Sequence, residues 1–465
     1  MTTLGEYAKV QGGFAYKSKD FIGASEYRVL KIKNVRFGTI DYSEPAFVPK
    51  NIAESTINWK LKEGDILISM TGSGPNAPQS LVGRVARVWK NEPDAWFNQR
   101  VGRINLVDNK KIHPDFIFYW LSLPQNQDFL VANSSGSANQ ANISGKTIES
   151  LPTPIVDYEI SSAIAKIARE LDEKIILNTQ INQTLEQIAQ AIFKSWFVDF
   201  DPVKAKIEAL AAGGNADDAE LAAMGVISAK TLDELNSLKA SNPEQFNKLA
   251  QTATLFPAAM QDSELGEIPE GWEVSDIASC TTELRRGISP KYIEEGGVLV
   301  INQKCIRNHT IDFSLARRND SSKRKVDGRE IVIGDVLVNS TGVGTLGRLA
   351  PIRFLNETTV ADSHVTVVRA NTTKISKSFL AGLMLTNEAY IEASGAGSTG
   401  QTELRKQVLE DIKFVKPLSA VDRLFDEIVS NFNAQIAELE KQRVTLSLTR
   451  DALLPKLLSG ELVGE

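Results

Sequence analysis

The residues of this chain best suited to chemistry are clusters of Lys, Arg, Asn and Gln. Early in the chain stand Lys17 and Lys19, then Lys31, Lys33, Asn34 and Arg36, then Asn98, Gln99, Arg100 and Arg103. Later come Arg285, Arg286 and Lys291, followed by Asn302, Gln303, Lys304, Arg307 and Asn308, and by Arg317, Arg318, Lys323, Arg324 and Lys325. Guanidinium and amide groups read base edges bidentately, and ammonium groups neutralise phosphates. A single basic residue is ordinarily a solvated surface charge. Whole clusters that recur in two parts of one chain point instead to contact with double-stranded DNA.

Catalytic constellations are missing by comparison. GVGTLG at 342–347 has the spacing of a dinucleotide loop, but RLAPIRF follows it where a helix must open, so a Gly-rich hairpin fits better. SGKT at 144–147 lacks the first glycine of a phosphate loop, because Gln140 stands there. His113, His309 and His364 are scattered, and with only Cys280 and Cys305 neither a thiolate zinc site nor a disulfide framework is expected. No Asn/Asp-Pro-Pro-aromatic run of an amino-methyltransferase occurs; SNPEQ and FDPVK come nearest. The expectation is a binding protein with no catalytic or metal-ligating residues of its own.

The elements that carry these clusters occur twice. GDILISMTGSG at 64–74 returns as GDVLVNSTGVG at 334–344, and YRVLKIKNVRFGTIDY at 27–42 pairs with GVLVINQKCIRNHTIDF at 297–313. FLVANSSGSANQANISGKTIESLPTPIV likewise parallels YIEASGAGSTGQTELRKQVLEDIKFVKP. Within each copy, short β-rich runs alternate with Gly/Asn/Ser turns, and one helical segment follows. The fold class is α/β (α+β), with a curved or sandwich-like sheet; the absence of strict βαβ alternation excludes a doubly wound sheet.

A helical stretch follows each copy. Ile160, Ile164, Ile167, Leu171, Lys174, Asn178, Ile181, Leu185, Ile188 and Ile192 step by four and three, a heptad seam that is aliphatic except at Lys174 and Asn178. A second seam runs through Val421, Phe425, Ile428, Phe432, Gln435, Leu439, Gln442 and Leu446. Two such seams in equivalent places predict an antiparallel coiled coil, a rigid spacer of roughly 50 Å at 1.5 Å per residue. Half-sites on one face of B-DNA recur about every 34–36 Å, so such a rod could hold two readers over a bipartite target. Past the first seam, Phe193, Trp196, Phe197 and Phe200 share one helix face. That face suits either anchorage of a partner chain or packing on the neighbouring domain.

The 465 residues suffice for several domains, and 24% charged and 42% hydrophobic residues are ordinary for a soluble protein. The net charge of −6 conceals an uneven distribution: residues 1–150 and 266–416 are net positive, and the stretches between and after them are acidic. No apolar run is long enough to span a membrane, and MTTLGEYAKV lacks an apolar signal core, so a cytoplasmic protein is expected.

At this point the sequence resembles a known family. QTLEQIAQAIFKSWFVDFDPVKAK at 183–206 is similar to the first conserved region of the specificity subunits of type I restriction-modification enzymes. RDALLPKLLSGEL at 450–462 resembles its distal counterpart, and LGEIPEGWEV at 265–274 the entry to a recognition domain. The resemblance covers essentially the whole chain. It implies two target-recognition domains, 1–156 and 265–416, joined by two long helices that form an antiparallel coiled coil. These helices lie at 157–204 and in 417–465, the latter including a C-terminal tail, and an acidic Ala-rich helical linker occupies 205–264. The resemblance further implies two modification subunits that use S-adenosylmethionine to methylate adenine, and two restriction subunits that use ATP and Mg²⁺. No cofactor is implied on this chain, whose own task would be sequence choice. A self-sufficient DNA methyltransferase or nuclease, and a repeat scaffold that does not bind DNA, are the alternatives.

Overall fold

The computed structural model describes residues 1–73, 82–137, 140–342, 344–395 and 403–459. The chain divides into two compact units, one of 1–177 with 442–465 and one of 178–441.

In the first unit, Ala8–Gly12, Val101–Leu106, Ile66–Ser69 and Val85–Arg87 form an antiparallel four-stranded sheet in that order. Beside it, Arg28–Leu30 pairs antiparallel with Ala46–Phe47 and parallel with Ala95–Phe97. Strand Ile66–Ser69 is buried throughout, which explains its unbroken apolar run. Successive side chains of a strand point to opposite faces. Ile66 and Ile68 therefore enter a core with the helix Pro114–Ser122, while Leu67 enters a separate core with Leu30, Val35 and Phe97.

The second unit repeats this plan. Thr281–Arg286, Val365–Ala370, Val336–Asn339 and Leu349–Pro351 form the antiparallel sheet. Val298–Ile301 again has one antiparallel and one parallel neighbour, Arg317–Asn319 and Thr359–Ala361. Val336 and Val338 face one core and Leu337 another. Equivalent glycines mark where the chain passes between sheets. A Cβ on Gly13 would lie 2.0 Å from the Asn98 carbonyl oxygen, and one on Gly287 2.0 Å from that of Ala361. No other residue fits at either crossing.

Two long helices span Tyr158–Phe197 and Ser419–Ser459. The first stops short of the stretch expected over 157–204. Phe200 adopts φ +57°, and a new helix, Asp201–Ala211, opens with Pro202 in its first turn. Ala216–Ser228, Leu232–Ser241 and Pro243–Thr254 follow, packed on a small core of Ala223, Met224, Leu235 and Phe246. A hairpin of Met260–Ser263 and Gly266–Pro269 precedes the second copy. No helix among the described residues is long and apolar enough to cross a membrane. Residues 460–465 of the expected tail lie outside the described residues.

The heptad seam needs correction. Ile164, Asn178 and Phe425 are buried as expected, and Leu171, Leu185, Ile428, Phe432, Leu439 and Leu446 are half-buried. Ile167, Ile181 and Ile188, however, are 44%, 36% and 42% exposed. The buried line is displaced toward polar side chains: Ser161 and Asp172 in the first unit, Asn182, Glu186 and Glu440 in the second. Partners engage these groups, although the buried Asn182 Oδ1 has none among the described residues. Asp172 accepts from the Tyr119 hydroxyl at 2.8 Å and from Arg450 at 2.6 Å. Asn182 donates to Glu440 at 2.9 Å, and Arg353 to Glu186 at 3.0 Å. Buried polar groups are tolerated when paired in this way. Apolar periodicity alone could not locate the buried face.

The aromatic face is core. Phe193, Trp196, Phe197 and Phe200 are all under a tenth exposed and pack with Phe256, Trp272, Phe379 and Phe425. Phe197 sits 5.0 Å from Phe379 and 5.1 Å from Phe425, ring centre to ring centre. A ring enclosed by its own unit has no surface for a partner, so the anchoring role expected of these four residues is withdrawn.

Candidate nucleic-acid interface

Each unit gathers three loops at one rim of its sheets. In the first unit these are the segment after Gly13, the turn Asn98–Gln99–Arg100, and the end of strand Ile66–Ser69. Phe14 bridges Asn98 in parallel, the Met70 amide donates to the Arg100 carbonyl at 2.9 Å, and Thr71–Gly72 pairs with Ala141–Asn142. In the second unit Ile288 bridges Asp362, the Ser340 amide donates to the His364 carbonyl at 2.9 Å, and Thr341 bridges Glu403. The shared registers make Asn98, Gln99 and Arg100 the counterparts of Asp362, Ser363 and His364. Thr71 corresponds to Thr341, and Asn142 to Glu403. Such a loop rim on a rigid sheet is where binding residues ordinarily lie.

Of the residues expected to touch DNA, some come to this rim with free side chains. Lys17, Lys19, Gln99 and Arg100 are exposed in the first unit, and Lys291 and Lys304 in the second, with no side-chain partner among the described residues. Gln303 joins them half-buried, accepting from Thr341 Oγ1 at 3.3 Å. Lys31 also remains partly exposed, its ammonium 4.2 Å from the Phe21 ring.

Others build the scaffold. Asn34 is buried, accepts from the Lys31 amide and donates to the Asp41 carbonyl, both at 2.8 Å. Asn302, also buried, donates to the Leu315 carbonyl and caps the turn that begins at Gln303. Asn98 accepts from the Gln99 amide. Arg103 donates to Gln11 at 2.7 Å and to Asp65 at 3.1 Å. Arg285 pairs with Glu283, Arg286 with Glu403, and Lys33 with Glu44. These residues are held by their own domain, and base contact is corrected to support for the buried Asn34 and Asn302 and for the half-buried Arg103, whose guanidinium is engaged by Gln11 and Asp65. Their polar character hid the difference, since a capping Asn and a base-reading Asn look alike in sequence.

Arg36, Arg307 and Asn308 lie on a different feature, the hairpin tip that faces a long helix. Arg36 pairs with Asp41 at 2.9 Å, while Arg307 and Asn308 are exposed. The next residue, His309, reaches Glu186 on the helix. In the first unit the corresponding Phe37 and Gly38 line a cavity of about 130 Å³ with Asp172, Arg450 and Leu454. Of the second copy's later cations, Arg317 stacks 3.4 Å from the centre of the Tyr292 ring and Arg318 pairs with Glu357.

Sequence reasoning missed the polar side chains fixed at the rim. His364 Nδ1 lies 2.8 Å from Thr341 Oγ1. Asp362 accepts from the His364 amide at 2.7 Å and from the Tyr292 hydroxyl at 3.2 Å. Burial raises the Asp362 carboxyl above its usual range and pushes the Tyr292 hydroxyl up to about 12. The available signal was positional: His364 falls where the first copy carries Arg100. SGKT proves to be a helix cap, the Ser144 hydroxyl accepting from the Thr147 amide at 3.1 Å. The Gly-rich string at 342–347 forms a turn between two strands, with Val343 outside the described residues. Among the described residues no group of His, Cys, Asp and Glu is arranged to hold a metal ion.

Residues 1–187 match the family described as "Type I restriction modification DNA specificity domain". The HindI specificity subunit of Haemophilus influenzae is 32% identical over 372 residues, 75% of this chain and 77% of that protein. The MjaIX specificity subunit of Methanocaldococcus jannaschii is 22% identical over 423 residues, 89% of this chain and 82% of that one. A crystal structure of a type I restriction-modification S subunit from M. genitalium aligns with a TM-score of 0.49 at 13% identity, covering 98% of this chain and 94% of that one. At that identity and over that length, the match to the Haemophilus subunit is decisive: this chain belongs to the family of type I restriction enzyme specificity subunits.

Proposed function

We propose that this chain selects the DNA sequence on which a type I restriction-modification complex acts, reading a bipartite target with one half-site per unit. The observation that carries this reading is the rim built twice on equivalent strands with different side chains. Gln99 and Arg100 in one copy stand where Ser363 and His364 stand in the other. A conserved frame with divergent loops is what two readers of different half-sites require. Exposed Lys17, Lys19, Lys291 and Lys304 supply phosphate contacts beside them.

The finer arrangement belongs to the same proposal. Residues 1–156 and 265–416 act as the two recognition domains, and the long helices pair antiparallel as a coiled coil that sets the spacing of the half-sites. Two modification subunits bring S-adenosylmethionine and methylate adenine; two restriction subunits bring ATP and Mg²⁺ and cleave. This chain has no catalytic step of its own, and its place is with cytoplasmic DNA. Support comes from family membership and from the clusters of basic residues in both repeats.

The test is to express this chain with its modification partner in a methylation-deficient host and sequence the methylome. Methyladenine in one split motif is the expected result. Methylation with no motif, or in one continuous motif, would overturn the reading.

A further inference from the structure

In the second unit Gln303, Thr341 and His364 come from three separate elements and meet at the rim. Gln303 opens the short turn Gln303–Cys305, Thr341 follows strand Val336–Asn339, and His364 sits in the turn before strand Val365–Ala370. Each backbone is held from behind. The Gln303 carbonyl accepts from the fully buried Asn339 side chain at 3.0 Å. The Ser340 amide binds the His364 carbonyl, and buried Asp362 holds the His364 amide at 2.7 Å. The side chains are thus pre-organised for an incoming ligand.

We infer that Gln303 and His364, aligned by Thr341, read a single adenine in the major groove of the second half-site. The protons available to the three side chains select the base. Thr341 Oγ1 lies 2.8 Å from His364 Nδ1 and 3.3 Å from Gln303 Oε1, yet its hydroxyl carries one hydrogen. If the hydroxyl donates to Gln303, the imidazole Nδ1–H donates to the hydroxyl. That leaves the ring's Nε2 as an acceptor and the Gln303 amide nitrogen as a donor. With the relay reversed and the Gln303 amide turned over, Nε2–H becomes the donor and the Gln303 oxygen the acceptor. Either direction presents one donor and one acceptor outward. Adenine alone offers the complementary neighbouring pair on one base, the N7 acceptor and the N6 amino donor; guanine offers two acceptors. Nε2 of His364 has no partner among the described residues, and the ring is exposed. Thr341 acts as a positioning residue.

This inference rests on the proposed sequence-reading role, and the experiment separates the two. The full chain and its modification partner are expressed in a methylation-deficient host as wild type, His364→Ala, Gln303→Ala, Thr341→Val and Thr341→Ser. The second half-site is identified as the half that changes when residues 265–416 are exchanged. The two alanine variants and Thr341→Val should relax the same adenine position, lowering its preference over other bases roughly 5- to 100-fold. Thr341→Ser, which keeps the hydroxyl, should retain the wild-type motif. An unchanged motif in the alanine variants, relaxation in both halves, or loss of all methylation would overturn the assignment while leaving the sequence-reading role intact. A wild type that methylates no split motif would overturn both.

Discussion

His309 Nε2 lies 2.7 Å from Glu388 Oε2, and its Nδ1 lies 3.5 Å from Glu186 Oε1. Arg353 completes the group, donating to Glu186 at 3.0 Å, to Asn433 at 3.1 Å and to the His309 carbonyl at 3.1 Å. Hydrogen bonding to Glu388 outweighs burial and raises the His309 pKa above its usual value. This network ties the hairpin tip and a sheet loop to both long helices within the second unit.

Because the folded-state pKa is the higher one, protonated His309 stabilises the fold at pH values below its unfolded pKa of about 6.5. That contribution fades as pH rises through the folded value. Thermal unfolding of the wild type should therefore show a loss of stability above about pH 6.5 that is absent in His309→Gln. Parallel pH profiles for the two proteins would contradict this role for the imidazole.

Trp196→Ala should behave as a core truncation. The ring is 2% exposed and stands 5.1 Å from Phe256, centre to centre. Removing such a side chain costs ~3–5 kcal/mol, through lost burial and the cavity left behind. Denaturant unfolding should report that loss. A fully stable variant that fails to bind a modification subunit would restore the discarded anchoring role.

Arg100 and Arg103 should separate under the same substitution, although they are three positions apart. Arg100→Ala removes an exposed side chain at the rim and should relax one position of the first half-site, costing ~1–3 kcal/mol in discrimination with stability unchanged. Arg103→Ala breaks the bonds to Gln11 and Asp65 and should lower stability while leaving base preferences as they are. Methylome sequencing with melting curves reads both effects; the reverse pattern would refute the division.

The same pair illustrates what was legible in the sequence. Duplicated strings such as GDILIS and GDVLVN exposed the repeated strands, because a strand facing two cores must be apolar along its length. The long helices were legible from their aliphatic periodicity. The buried face was not, since Asp172, Asn182 and Glu186 are buried through partners distant in sequence: Tyr119, Glu440 and Arg353. At the rim, composition located the loops but could not sort contact from support. Arg103 and Arg100 differ only in what the fold places beside them. His364 reads in sequence as one of three scattered histidines, because its meaning depends on Thr341 and Gln303, which reach it from two other elements.

On the proposed function, each unit reads its own half of a split target. The decisive measurement replaces residues 1–156 with the corresponding domain of another family member and sequences the methylome of a methylation-deficient host that also expresses the modification partner. One half of the motif should change and the other half should stay as it was. A motif altered in both halves, or in neither, would contradict it.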